Sequence, residues 1–466
     1  MQKKMLLSIT NYKRKAVFAA SVLIAMAGNA QTNLSTLDLN APFGWTNCSS
    51  MTAGDDYSTT GGEGSSQKRT ITLKSTGADM KSTIQNAIKN NDIIILDGSD
   101  GDFIVSSNVG ISGAQNKTIV GINGARICSK WYITPEIIKL LDDNNVKSYS
   151  TSSGTGGKLT NGTSVSEGRE YITRQLLINY TGDSGEGYRS SGILSVSGCK
   201  NVIIRNLKFV GPGTVDISGN DLISCTGTTH MWVDHCDFTD GLDGNFDITN
   251  GSNFITVSWC SFSYTDRAYD HRNTNLVGSS DSYTSDEDNL NITYAFNNWS
   301  TKCNARMPMA RFGTIHMLNN YYDCEGNGSP CINPRKNSEF LIEGNYFDSG
   351  VRNIFSQSSA KRWTWTSTNY TVESFSPSSS GTNVTMPYSY TVANVQSVPA
   401  EVKQYVGATL TNPLVIGKSG ETGVSKTVKK QNAEHIYTPD GCKRKQAQEG
   451  VNIIVDEDGN VKKVLR

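Results

Sequence analysis

Charge is scarce in this chain of 466 residues. Asp, Glu, Lys and Arg make up 18%, too little for a coiled coil. The hydrophobic share of 36% is too high for a chain that stays disordered. No Cys-x-x-Cys pair occurs among the ten cysteines, so zinc modules built on that spacing are excluded. Five histidines are present, but no Gly-x-Ser-x-Gly elbow, so a Ser-His-Asp hydrolase lacks its nucleophile motif. No apolar stretch reaches membrane-spanning length; Ala16–Ala27 has only twelve residues. Net charge is zero overall, yet residues 31–417 carry 28 basic and 36 acidic side chains. That sign argues against a nucleic-acid partner.

Ser, Thr, Asn and Gly are abundant, as in β-rich proteins full of turns. The N-terminus has its own pattern. Five basic residues (Lys3, Lys4, Lys13, Arg14, Lys15) precede the apolar run, and Gly28-Asn29-Ala30 places small residues at positions −3 and −1. This reads as a secretory signal peptide over 1–30, with Gln31 as the new terminus of an exported, soluble protein. Export permits disulfides. Cys324 and Cys331 are close enough in sequence to pair, while Cys225, Cys236 and Cys260 sit in strand-like segments as small buried residues.

One pattern recurs: an alternating strand, a polar turn residue, then an aromatic. It appears as NVIIRNLKF (201–209), HMWVDHCDF (230–238), NFITVSWCSF (253–262), LNITYAFNNW (290–299), TIHMLNNYY (314–322) and EFLIEGNYF (339–347). Phe238 and Phe262 are 24 residues apart, Asn320 and Asn345 25. Period-two alternation means strand. A repeat in the low twenties without an intervening helix means one coil per unit. The expected fold is all-β, a right-handed parallel β-helix with a short N-terminal capping helix, long loops and a small C-terminal β appendage. An antiparallel sandwich is the weaker alternative, because Asn-Gly hairpin turns are scarce between the units.

Weaker coils are expected at DIIILDG (92–98), NKTIVGI (116–122), RQLLINY (174–180) and GILSV (192–196). Asn206, Asn298, Asn320 and Asn345 are expected to stack at one turn. Asp79–Asn90 reads as a helix with Met80, Ile84, Ala87 and Ile88 on one face, closing the open end of the stack. Residues 148–167 form a polar inserted loop, and 357–399 long wrapping loops. The β-helix domain spans 31–410, followed by a linker over 411–435.

Chemistry is carried by two groups of residues. Asp243 and Asp247 are four apart, a spacing that puts both on one side of a strand, and Asp221 precedes Asp243 by 22 residues, about one coil. Three carboxylates on one patch suit a hard cation, and Ca2+ accepts oxygen ligands in irregular geometry. Three solvated surface acids are the plainer alternative. Arg306 and Arg311 lie in RMPMARFG, where Pro308 bends the path. Guanidinium groups beside a cation describe a face for an acidic polymer. His235 and His316 read as structural, and His230, His271 and His435 show no partner pattern.

WVDHCDF (232–238), DGNFDITNGSNFITVSWCSF (243–262), LVGSSDS (276–282) and RMPMARFGTIHMLNNYY (306–322) resemble, in order and spacing, the signature blocks of extracellular pectate lyases of polysaccharide lyase family one. TTGGEG (59–64) also resembles that family, and the likeness covers about residues 55–410. It implies a calcium-dependent enzyme that cleaves polygalacturonate by β-elimination, acting as a monomer. The resemblance makes Asp221, Asp243 and Asp247 metal ligands, Arg306 the catalytic base and Arg311 a substrate-binding residue. Trp232, Asp234 and His235 match a structural block. The family's substrate-binding Lys falls here on Asn273, with Arg272 beside it as a replacement charge. Arginine's very high pKa leaves a second role open, with Arg306 stabilising the anion while hydroxide takes the proton. Rival readings are a pectin lyase on methyl-esterified polymer, a polygalacturonase and a non-catalytic glycan-binding β-helix.

The tail IYTPDGCKRKQAQEGVNIIVDEDGNVKKVLR (436–466) reads as strand, turn, strand, turn, strand. It resembles the C-terminal sorting domains of bacterial type IX secretion, which implies delivery outside the cell or onto its surface.

Overall fold

The structure is a computed structural model. It describes residues 39–149, 157–158, 164–165, 168–182 and 186–417, and near the C-terminus 435–437, 443–444, 451–455 and 461–465. The expected signal segment, much of the 148–167 loop and the linker from 418 onward lie outside the described residues.

The repeating units form three parallel sheets of ten, nine and seven strands. Each coil contributes one strand to each sheet in turn. Pairing is between like positions of successive coils: Val202 with Met231, Met231 with Ile255, Ile255 with Ile292 and Ile292 with Ile315. Every one of these side chains is buried. A one-residue slip would turn all of them outward, so the apolar alternation fixes the register. This is the parallel β-helix expected from the repeat, right-handed as parallel crossovers are.

The recurrent aromatics stack down the interior. Phe209, Phe238, Phe262, Trp299, Tyr322 and Phe347 follow one another at centroid separations of 5.1, 5.0, 5.4, 4.9 and 4.4 Å, nearly parallel. Each such pair adds about 0.5–1.5 kcal/mol beyond its buried area.

In six successive coils the chain turns between the ten- and nine-stranded sheets on residue pairs: Asn206-Leu207, His235-Cys236, Trp259-Cys260, Phe296-Asn297, Asn319-Asn320 and Gly344-Asn345. The first member of every pair is left-handed, with φ between 48° and 65°. The asparagine ladder occupies the second position. Asn297 Nδ2 donates to Asn320 Oδ1 at 3.1 Å, Asn320 Nδ2 to Asn345 Oδ1 at 2.9 Å, and Asn345 Nδ2 to Asn369 Oδ1 at 3.0 Å. The expected ladder is therefore corrected. Asn297 replaces Asn298, which starts the next strand, and Asn206 stands in the left-handed column.

The helix Lys81–Asn90 buries Ile84, Ala87 and Ile88, with Met80 just before it, as expected of a cap. RQLLINY is not a coil. It lies in the helix Arg169–Thr181, bounded by Gly168 and the left-handed Gly182. The three-residue apolar run Leu176–Ile178 fits strand and helix equally well, and here the length between the glycines decides. A second helix, Pro135–Asp143, starts at Thr134, whose side chain caps Ile137 N. The two helices share a satellite core with Ile133, Val146, Val215, Ile217 and Leu242. The 357–399 region is also more regular than expected, because Arg362–Trp365 and Tyr370–Thr371 add a last coil.

Nine cysteines are buried and unbonded among the described residues. The Sγ atoms of Cys324 and Cys331 lie 3.8 Å apart. The C-terminal residues form a separate antiparallel sheet of four strands, including His435–Tyr437, Val451–Val455 and Val461–Leu465, which matches the expected β pattern.

Candidate active site

The candidate residues converge where the nine-stranded sheet hands over to the seven-stranded one. Asp221 and Asp243 lie on loops entering the strands Ile223–Thr226 and Phe246–Thr249. Asp247 sits on the second of these strands, paired with Ser224 a coil earlier. Phe246 and Ile248 point into the core, so alternation sends Asp247 outward.

Asp221 is buried, 7% exposed. Its Oδ2 accepts from Ser224 Oγ at 3.1 Å, but its Oδ1 is buried without any hydrogen-bond partner. Burial, with Asp247 and Asp243 nearby, pushes its carboxyl well above the usual range. Asp247 Oδ1 accepts from Leu276 N at 3.0 Å. Burial raises Asp247 to about 7, against the pull of the Arg306 charge. An orphaned carboxylate oxygen beside a second strained carboxylate is an arrangement that wants a cation.

Arg306 follows two coils after Asp247, entering the strand Met309–Ala310. Its backbone is left-handed, φ 60°, a costly conformation for a non-glycine residue. The neighbouring coil holds it there: its carbonyl accepts from Asn275 N at 2.7 Å and from Thr274 Oγ1. Met307 N donates to Cys331 O on the coil after, at 2.7 Å. Its charge acts on both Asp221 and Asp247, yet Arg306 forms no ion pair among the described residues. Arg311 differs. Its Nε donates to Asp281 Oδ1 at 2.6 Å and its Nη1 to Gly278 O at 2.9 Å, which fixes the guanidinium and leaves Nη2 open.

His271 was expected to have no partner pattern, and that reading is corrected. Its Nε2 is 2.7 Å from Asp243 Oδ1 and 3.0 Å from Asn273 Nδ2, and its Nδ1 is 3.6 Å from Asp216 Oδ1. Burial disfavours the charged imidazole, but the Asp243 hydrogen bond and the Asp243 and Asp216 charges outweigh it and raise its pKa. Asp216 is itself held by Arg169 of the inserted helix, Oδ2 to Nη2 at 3.0 Å. The sequence did carry a signal: Asp216, Asp243 and Asp270 recur at equal intervals of one coil, and His271 directly follows the last.

Among the described residues, no three His, Cys, Asp or Glu side chains are arranged to hold a metal ion as they stand. Asp243 is the member engaged elsewhere, on His271. The donor set nonetheless fits Ca2+, which takes carboxylate oxygens in flexible geometry. Gly244 leaves open the space at the pair: a Cβ there would lie 2.7 Å from Asp221 Oδ1 and 3.4 Å from Asp247 Oδ1.

The family model for pectate lyase matches residues 43–410. The chain belongs to the pectate lyase family. It is 36% identical over 221 residues to pectate lyase A of Aspergillus niger, covering 46% of this chain and 64% of that protein. It is 34% identical over 194 residues to the pectate trisaccharide-lyase of Thermotoga maritima, covering 40% and 51%. The chain thus spans less than two thirds of the length of these curated relatives. Among solved structures, pectate lyase II from Xanthomonas campestris pv. campestris is 19% identical, with a TM-score of 0.46 over 80% of this chain and 99% of that one.

Asp221, Asp243, Asp247, Arg306 and Arg311 all fall inside the segment matched to the pectate lyase family. Asn273, at the expected lysine position, uses its amide on His271. No ion pair joins Arg272 to the aspartates among the described residues. The matching structural block lies behind the site. Asp234, fully buried, binds Arg205 Nε at 2.9 Å, His235 Nδ1 at 2.7 Å and Ser258 Oγ at 2.8 Å, and Trp232 Nε1 donates to the same Ser258.

Proposed function

We propose that this chain is a calcium-dependent pectate lyase, cleaving α-1,4-linked polygalacturonate by β-elimination to unsaturated oligogalacturonides. The observation that carries the reading is the buried Asp221 oxygen beside Asp247, without a partner among the described residues, with Arg306, in no ion pair among those residues, two coils beyond Asp247. Asp221, Asp243 and Asp247 would hold Ca2+. The bound cation supplies electron withdrawal from a uronate carboxylate, which makes the neighbouring C5 proton easier to remove. Arg306 acts at that proton, either accepting it or holding the developing anion while hydroxide accepts it. Arg311 binds a substrate carboxylate through the nitrogen that Asp281 and Gly278 leave open. Asn273 and Arg272 complete the substrate contacts as a hydrogen-bonding amide and a flanking charge.

Three carboxylates favour pectate over methyl-esterified pectin, since an uncharged ester needs no cation bridge. The deciding assay is ultraviolet absorbance on polygalacturonate with and without chelator. An unsaturated product formed only with Ca2+ supports the reading. Reducing ends without absorbance mean hydrolysis, and full activity in chelator removes the calcium assignment.

The protein is also read as exported, on the basic, apolar and small-residue pattern of 1–30, with strands 436–466 as a sorting appendage. Deleting 436–466 is expected to leave lyase activity in lysate and abolish delivery to the exterior. Normal export of the truncated chain overturns the sorting role.

A further inference from the structure

The loop residue His271 has no part in the proposed chemistry, yet it holds a proposed calcium ligand. Its Nε2 lies 2.7 Å from Asp243 Oδ1. The ring is also held at its other nitrogen: Asp216 Oδ1 is 3.6 Å from Nδ1. Asp216 is anchored in turn by Arg169 on the helix Arg169–Thr181, at 3.0 Å. A line of contacts therefore runs from the inserted helix through Asp216 and His271 to Asp243. Asp243 is also the most open of these groups, its side chain 37% exposed, so it is the ligand with room to turn.

We propose that His271 is a positioning residue that competes with calcium for Asp243 and so sets how tightly the site binds the ion. While Asp243 accepts from His271, its Oδ1 is occupied and the ligand set is incomplete. Binding the cation requires Asp243 to give up this hydrogen bond or to share it. The cost lowers affinity for the ion, and the inserted helix, by fixing Asp216, determines how firmly the imidazole stands. This inference rests on the calcium reading above.

The test is calorimetric titration of Ca2+ into the full exported protein, stripped of metal and without substrate. A hydrogen bond to a charged group is strong enough that its loss shifts binding by about tenfold. His271→Leu, which cannot donate, is expected to bind Ca2+ about tenfold more tightly than wild type. His271→Asn, too short to reach Asp243, is expected to behave the same way and serves if the leucine variant does not fold. His271→Gln, long enough to donate to Asp243, is expected to stay within about threefold of wild type; these margins follow the same hydrogen-bond estimate. Unchanged or weaker binding in both the Leu and Asn variants overturns the competition. A wild-type protein that binds no Ca2+ overturns the calcium reading itself, so the two failures are distinguishable.

Discussion

Gly244 lies against Asp221 so closely that a Cβ on it would sit 2.7 Å from the aspartate's unpartnered Oδ1. The glycine keeps the space beside the two carboxylates clear without contributing a side-chain ligand. Gly244→Ala changes no charge and no carboxylate, yet it fills that space. We expect Ca2+ affinity to fall by at least tenfold, with secondary structure unchanged by circular dichroism. Equal affinity in the alanine variant would mean that the ion, if bound, sits elsewhere.

Arg306 is expected to act in turnover. A positioned proton acceptor contributes roughly 10²–10⁴-fold. Arg306→Ala should therefore lower kcat by at least about a hundredfold at saturating Ca2+, with KM little changed. Arg306→Lys keeps charge but not the planar fork and should rescue poorly. Arg311→Ala should raise KM as well as lower the rate. Asp281→Asn should do so more mildly, because it frees the Arg311 guanidinium that Asp281 now fixes.

The metal-free site should leave a mark on stability against pH. Asp247 is raised to about 7 by burial, from an ordinary value near 4. A carboxyl raised in the folded state binds its proton more tightly there than when unfolded. Its contribution is therefore fully favourable below about pH 4 and is lost as pH rises through 7. In chelator, Asp247→Asn should melt higher than wild type at pH 8 and lose that advantage by about pH 4. With saturating Ca2+ the order at pH 8 should reverse, since only wild type retains the ligand. A chelated variant that is no more stable at pH 8 would count against the buried charge.

Asn320 is the middle of the asparagine ladder. Its Oδ1 accepts from both the backbone N and the Nδ2 of Asn297, at 2.9 and 3.1 Å. Asn320→Leu leaves the buried Asn297 backbone N without an acceptor and reduces its Nδ2 to a single one, Val257 O at 3.0 Å. The cost should be about 2–4 kcal/mol, read as a lower denaturant midpoint. A midpoint within experimental scatter of wild type would show that the neighbouring coils relax to supply another acceptor.

The repeat was legible because inward alternation and a recurring aromatic are set by local pattern. The asparagine register was misjudged by one residue because the two turn positions are adjacent, and only the left-handed conformation of the first distinguishes them. Asp221, Asp243, Asp247, Arg306 and Arg311 were legible from coil spacing and block likeness. His271 left only the even spacing of Asp216, Asp243 and Asp270 as a trace and Arg169 left none, because their contacts depend on an inserted helix folding back over the loops at 212–219 and 265–271. Nothing in a linear spacing reports where an insertion lands.

The residue-pair turn between the ten- and nine-stranded sheets has a consequence for how such a chain can change. Adding a residue at that corner would throw the aromatic column and the asparagine ladder out of phase at once. The corner between the nine- and seven-stranded sheets is under no such restraint: its connections run from the three residues 106–108 to the whole of 130–193. Length is therefore readily gained or lost where Asp221, Asp243, His271 and Arg306 are presented. Loop grafting at this corner should retune which polymer is accepted while the stack beneath folds as before, and the same exchange across the molecule should yield insoluble protein.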